Sequence, residues 1–246
     1  MQKEDYIYGS RAIIEAIEND RPIDRILIKK GLQNELYHQV FNLIKQNRIP
    51  FQFVPVERIN RITRKNHQGI LAFLSPVEFY NIRDVLPGLY EQGIEPFLLI
   101  LDQITDVRNF GAIVRSAECA GVNAVIIPER GMARVGADAV KTSAGALHHV
   151  VICRESNLVS AVSYLKNSGL KTVAANEKAN TLYTQSKMNV PLAVVMGSEE
   201  RGVSKTILEL VDEQIQIPIL GKIGSLNVSV AAALIIYEAV RQKNCN

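Results

Sequence analysis

Apolar and polar positions alternate along this chain in two registers, one near a period of 3.6 residues and one of short unbroken apolar runs. Ser10 precedes Ile13, Ile14 and Ile17, which share one helical face, so a helix capped by Ser10 is expected. Residues 25–28 read as a short strand. Residues 33–46 read as a helix with Leu36, Val40, Leu43 and Ile44 inward, and 51–54 and 70–74 read as strands. This is a small α/β layer of 1–76. Residues 77–96 contain Pro87, Gly88 and Gly93 among charged side chains and read as a linker with room for one short helix. From 97 the pattern changes. Apolar runs at 97–101, 124–127, 171–175, 192–196 and 214–218 alternate with helical stretches at 109–120, 157–167, 204–210 and 227–242. Buried strands alternating with helices predict a parallel sheet covered on both faces over 97–246.

In such a sheet, ligands gather at the carboxyl ends of the strands. Three polar, glycine-bearing segments directly follow predicted strands: 102–111, 197–202 and 219–227. The last opens the string GKIGSLNVSVAAAL at 221–234, where a glycine-rich turn runs into an apolar helix with Ser225 and Asn227 at the junction. A helix start offers unpaired N–H groups and the positive end of a dipole, so it attracts polar and anionic groups. For single residues a plainer reading stands beside the functional one. Asn109 is also a candidate helix cap, Arg115 a surface cation, and Glu199 or Glu200 a solvated loop acid. His148 and His149 sit between apolar residues and read as packing or partly exposed. The apolar stripe ending in Tyr237 reads as core or subunit interface.

Composition narrows the class. The 246 residues are 47% apolar and 22% charged, as in ordinary globular proteins. No apolar run reaches the roughly 18 residues of a membrane span. The start is polar, and Cys119, Cys153 and Cys245 are scattered with no metal-binding spacing, so a reduced, cytoplasmic protein without metal is expected. The net charge of +3 lies wholly in the N-terminal third: 1–78 hold 12 Lys/Arg and 9 Asp/Glu, and 79–246 hold 16 of each. There Arg58, Arg61, Arg64 and Lys65 follow helical spacing, with His67 next. They form either an RNA phosphate contact or a solvated helix face. The glycine spacing at 197–202 is that of a phosphate loop, but Val203 stands where its lysine belongs. No GxG occurs, so the dinucleotide fingerprint is missing, and no GxSxG surrounds Ser225.

Three strings in order, DQITDVRNFGAIVRSA at 102–117, VMGSEERG at 195–202 and IPILGKIGSLNVSVA at 217–231, resemble the SpoU branch of the SPOUT RNA methyltransferases. Tyr8, Gly9 and Ser10 with His67, Gln68 and Gly69 resemble the L30-like substrate-binding domain of its rRNA members. The resemblance implies a C-terminal domain with a deep trefoil knot, acting as a homodimer through its last helix. It implies S-adenosylmethionine as cofactor, held by Ala174, Gly197, Ile217, Ile219 and Leu226. It implies a catalytic set of Asn109, Arg115, Glu199, Ser225 and Asn227. The implied reaction is 2′-O-ribose methylation of a guanosine in 23S rRNA. A tRNA substrate, or a non-catalytic RNA-binding factor on the same fold, are the alternatives.

Overall fold

The computed structural model describes residues 6–33 and 35–244, so the reading of Cys245 and of the extreme N-terminus lies outside the described residues. The chain forms two compact units, one of 1–78 with 135–137 and one of 79–134 with 138–246. The first contains β1 (Tyr6–Tyr8), α1 (Ser10–Glu18), β2 (Ile23–Lys29), α2 (Glu35–Gln46), β3 (Phe51–Val54), α3 (Val56–Asn60) and β4 (Ile70–Leu74). Its sheet runs β1-β4-β2-β3; β4 is antiparallel to both neighbours and β2 is parallel to β3. Side chains alternate across a strand. Ile26, Ile28, Ile70 and Ala72 therefore meet Ile13, Ile17, Val40 and Ile44 of α1 and α2. Leu27, Val54 and Leu71 face the other way, against Ile59 of α3.

Two expectations for this unit change. Ser10 is the first helical residue and does not cap α1; Gly9, at φ 85°, holds the cap position. The Ser10 N–H is donated to Gln68 Oε1 (3.3 Å), which does the work of a cap from a distant loop. Helix α3 ends at Asn60, so Arg61 and Arg64 do not continue a helical face. The chain turns here because Thr63 Oγ1 accepts the Lys65 N–H (3.3 Å), a local bond that competes with helix propagation.

The second unit runs α4 (Ile82–Glu91), β5 (Phe97–Asp102), α5 (Val107–Cys119), β6 (Ala124–Pro128), α6 (Ala137–Thr142), β7 (Val151–Glu155), α7 (Leu158–Asn167), β8 (Lys171–Ala175), β9 (Thr181–Leu182), β10 (Leu192–Gly197), α8 (Lys205–Leu208), β11 (Glu213–Gln216) and α9 (Val228–Asn244). The sheet order is β7-β6-β5-β10-β8-β11-β9 and every pairing is parallel. The stretch 77–96 is more than a connector. Ile82, Val85, Leu86 and Leu89 fall at helical spacing, Asn81 caps α4 by accepting the Arg83 N–H (2.9 Å), and Ile82 and Leu86 are buried in this unit's core. The Tyr80 N–H donates to Ile152 O (3.0 Å), so 80 bridges to edge strand β7. Strands β7 and β9 and helix α6 have no counterpart in the pattern reading; β7 carries charges at its end and β9 has two residues, too short to show a period.

Polar side chains lock the sheet's far side. Asp212 accepts from the Thr172 N–H (2.9 Å), Thr172 Oγ1 (2.7 Å) and Lys166 Nζ (2.9 Å), tying β8 to the start of β11. Lys171 pairs with Glu213 (2.7 Å) across the same strands. Burial raises the pKa of both carboxyls, but the hydrogen bonds from Thr172 and Lys166, and from Lys171 and Ser186, outweigh it and hold both below the usual carboxylate range. Glu238 is also held low, chiefly by hydrogen bonds from Arg241, which prevail over burial.

Chain return after β10 is tight. Gly202 N–H donates to Ser198 O (2.9 Å), closing a small loop that brings Gly202 and Val203 back onto Gly197. A Cβ on Gly197 would lie 2.0 Å from the Gly202 carbonyl carbon and 2.1 Å from Val203 N, so only glycine fits. Asp102 Oδ2, at the end of β5, accepts the Ser204 N–H (2.8 Å) and anchors the far side of the loop.

Two outcomes follow from this architecture. A carboxylate with a depressed folded pKa stabilises the fold above its unfolded pKa near ~4, and that stabilisation is lost as pH falls through the folded value. Thermal unfolding followed against pH is expected to show a Tm that falls steeply below about pH 4. Asp212→Asn should lower the neutral-pH Tm and flatten that acid limb; an unchanged limb would refute the assignment. Gly197→Ala is expected to cost about 3 kcal/mol by overpacking, read as a Tm about 6–12 °C lower.

Candidate active site

The parallel pairing of β5 with β10 sets Asp102 opposite Gly197, so the loops that follow these strands start side by side. Asp106 caps α5, its Oδ1 accepting from Arg108 N (2.7 Å) and Asn109 N (3.0 Å). Asn109 is therefore not the cap, and its amide is available to reach outward. It does so: Asn109 Nδ2 donates to Glu199 Oε1 (3.2 Å), on the loop after β10.

Asn227 completes the cluster from the third segment. The Ser229 N–H can only donate, and it points at Asn227 Oδ1 (3.0 Å), as does Ser229 Oγ (2.5 Å). That fixes which end of the amide faces which way, a choice otherwise open between oxygen and nitrogen. Asn227 Nδ2 then donates to Asn109 Oδ1 (2.9 Å) and to Glu199 Oε1 (2.5 Å). The Val228 N–H, at the start of α9, donates to the same oxygen (3.2 Å). One carboxylate oxygen thus takes three donors, one of them from the positive end of a helix.

The structure brings Asn109, Glu199 and Asn227 into direct contact. Arg115 stands six residues further along α5, about 9 Å along the helix axis. It is exposed, and no described residue hydrogen-bonds or pairs with its guanidinium. Ser225 is likewise exposed and makes no side-chain bond among the described residues.

Beside this cluster lies a cavity of about 400 Å³ at the ends of β10, β8 and β11, within the range of small-molecule sites. Gly197, Ile217, Ile219 and Leu226 line it, as does Ser225. Ala174 does not. It is fully buried in the sheet core, and strand alternation turns the next residue, Ala175, to the cavity. Glu177 and Lys178, on the turn after β8, also line the wall. Pattern reading passed over that turn, although it follows a strand just as the other three segments do. Among the described residues, the backbone of 217–226 forms no backbone hydrogen bond. Free N–H and C=O groups beside apolar side chains such as Ile217, Ile219 and Leu226 suit a ligand with a flat ring and polar edges.

In the first unit, Arg58, Arg61, Arg64 and Lys65 are exposed. Arg61 and Arg64 border a groove with Glu57 and Asn60. His67 is committed locally: its Nδ1 accepts the Gly69 N–H (2.9 Å), so Nε2 carries the proton and donates to Asn60 Oδ1 (2.8 Å). His148 ends a short 3₁₀ turn at 146–148, and both it and His149 are exposed. Among the described residues, no helix is long and apolar enough to cross a membrane and no group of three metal-ligating side chains occurs.

Residues 96–237 match the SpoU rRNA methylase family, and 6–80 match the RNA 2′-O ribose methyltransferase substrate-binding family. A putative TrmH family tRNA/rRNA methyltransferase of Bacillus subtilis is 32% identical over 243 residues, 99% of this chain and 98% of its own. An uncharacterized tRNA/rRNA methyltransferase of Synechocystis is 36% identical over 97% of this chain and 63% of its own. The fold is shared with the SpoU methyltransferase AviRb of Streptomyces viridochromogenes, solved with AdoMet (TM-score 0.61, 22% identity, 98% and 91% of the two chains). It is shared also with the A. aeolicus TrmH/SpoU tRNA modifying enzyme (TM-score 0.56, 29% identity, 66% of this chain and 84% of that one). With both its units matched and the three strand-end segments gathered at one rim, this chain belongs to the SpoU family of RNA methyltransferases.

Proposed function

We propose that this protein transfers a methyl group from S-adenosylmethionine to a ribose 2′-oxygen of RNA, at a guanosine of 23S rRNA, in the cytoplasm. The observation that carries the reading is the Asn109–Glu199–Asn227 cluster, built from three strand-end segments at the edge of a cavity with both polar and apolar walls. The backbone around Gly197, Ile217, Ile219 and Leu226 would hold the adenine and ribose of the cofactor. When bound, its sulfonium supplies an already activated methyl group.

The chain's own residues then have distinct tasks. Asn109, Ser225 and Asn227 orient the target ribose, turning a bimolecular encounter into a positioned one. Arg115 serves as a cation and hydrogen-bond donor and not as the base, since its guanidinium has five donors and no acceptor. Its unpaired charge stabilises the negative charge that develops on the 2′-oxygen. Among the described residues no hydrogen bond fills Glu199 Oε2, which leaves it for the departing hydroxyl proton. As Glu199 Oε2 takes the 2′-hydroxyl proton, the oxygen left behind would receive the methyl group that the bound cofactor would supply.

Two features of assembly belong to this reading. Val230, Leu234 and Tyr237 are 49%, 40% and 48% exposed at spacings of four and three on α9, an apolar stripe suited to a second copy of this helix. The tight return at Gly197, with α9 packed on α5, supports a threaded, knotted path. A tRNA substrate is the second reading, favoured by the 29% identity of the A. aeolicus tRNA modifying enzyme, which spans 66% of this chain. The matched substrate-binding unit at 6–80 favours rRNA.

Incubation with methyl-labelled S-adenosylmethionine and separate rRNA and tRNA pools, followed by mapping of 2′-O-methyl nucleotides, tests the proposal. Label in 23S rRNA is expected; label confined to tRNA would select the second reading. No label in either, with no calorimetric binding of S-adenosylhomocysteine, would leave a non-catalytic RNA-binding factor. Arg115→Ala and Asn109→Ala are each expected to lower kcat by about 100-fold with the Tm preserved. Unchanged rates would remove these residues from the mechanism.

A further inference from the structure

We infer that the face of the first unit's sheet opposite α1 and α2 binds unpaired RNA, with Tyr8 and Tyr6 as stacking surfaces for bases and Arg58, Arg61 and Arg64 as phosphate contacts. The inference rests on the reading that the chain acts on RNA, and it names the recognition surface and its mode.

Four observations converge. Tyr6 and Tyr8 sit two apart on β1, an edge strand, so both rings leave the same face of the sheet. They pack beside Leu27, Leu71 and Ile59 with their rings 6.4 Å apart, and both stay partly exposed. Next, the Lys65 ammonium lies over the Tyr8 ring at 5.8 Å, which puts a cation at the edge of the aromatic surface. Third, α3 packs on this same face through Ile59, and Ile62 follows it there. Its exposed side therefore presents Arg58, and the turn beyond it Arg61 and Arg64, with Glu57 the one carboxylate within 56–67. Aromatic rings with a bordering row of cations are the pattern of single-strand binding, because every base has a π-face and every nucleotide a phosphate.

The fourth observation concerns rigidity. The turn that carries Arg64 and Lys65 is latched to the end of β1. His67 spans Asn60 and the Gly69 N–H with its two ring nitrogens. Gln68, held at φ 53°, reaches the Ser10 N–H beside Gly9. Tyr8 and the cations are thus members of one braced unit. A preorganised surface loses less freedom on binding than a flexible one. A duplex would hide its bases from such a surface, so the occupant is RNA with unpaired bases.

The test uses the full-length protein, a fluorescent oligouridylate of roughly ten nucleotides and a blunt RNA duplex, with anisotropy as the readout. Tyr8→Leu keeps the apolar packing under the ring and removes the π-face. It is expected to weaken oligouridylate binding about tenfold, while Tyr8→Phe binds within about twofold of the parent. The double variant Arg61→Ala/Arg64→Ala should lower the slope of log K against log salt by about 1.4. Methyl transfer to rRNA by Tyr8→Leu should show a raised KM at unchanged kcat. Equal binding by Tyr8→Leu with an unchanged Tm, or preference for the duplex, would overturn the inference. In either case methyl transfer by the unaltered protein decides the fate of the enzymatic reading separately.

Discussion

One oxygen of Glu199 holds the candidate site together. It takes hydrogen bonds from Asn109, Asn227 and the first amide of α9, residues separated from it by 90, 28 and 29 positions along the chain. Hydrogen bonds to a carboxylate are stronger than those between neutral groups, and one of these donors lies at the positive end of the α9 dipole. The consequence is geometric. The first turn of α5 and two glycine-bearing loops share one fixed point, and what they carry inherits a position from it.

The sheet beneath supplies the frame in which that bond can form. β5 and β10 run in register, so Asp102 and Gly197 end level with each other, and Asp102 then anchors the returning chain at Ser204. The return is possible only because residue 197 has no side chain to meet Gly202 and Val203. On the far side, the Thr172–Asp212 and Lys171–Glu213 contacts hold β11 against β8. The segment 217–227 therefore departs from a firmly held strand. Rigid strand ends and adaptable loops are the usual division of labour at the carboxyl edge of a parallel sheet.

The two units share a physical logic and differ in chemistry. In each, helices cover apolar strands. The first unit presents partly exposed aromatic rings beside exposed cations, groups whose contacts with nucleic acid would tolerate sequence. The second sets two amides and a carboxylate beside a cavity with mixed walls, an arrangement in which positioning matters.

Much of this was legible in the chain itself. Short apolar runs such as 97–101 and 192–196, alternating with helical stretches, fit strands buried on both faces, so a parallel sheet with ligands at its carboxyl edge was the expected architecture. The three polar exits were recognisable because each follows an apolar run with glycine and short polar side chains at a strand end, where parallel sheets place their ligands. Tertiary structure decided the rest. Asp106, not Asn109, caps α5, and this is visible only once the loop's path is known. Ala174 turns inward and Ala175 faces the cavity, because a one-residue change of register reverses a strand side chain. Helix α3 stops at Asn60 where Thr63 takes the Lys65 N–H, and only the fold shows that the apolar face of α4 is buried in the second unit's core. A sequence records what each residue prefers; which partner satisfies a hydrogen-bonding group is settled by distances that exist only after folding.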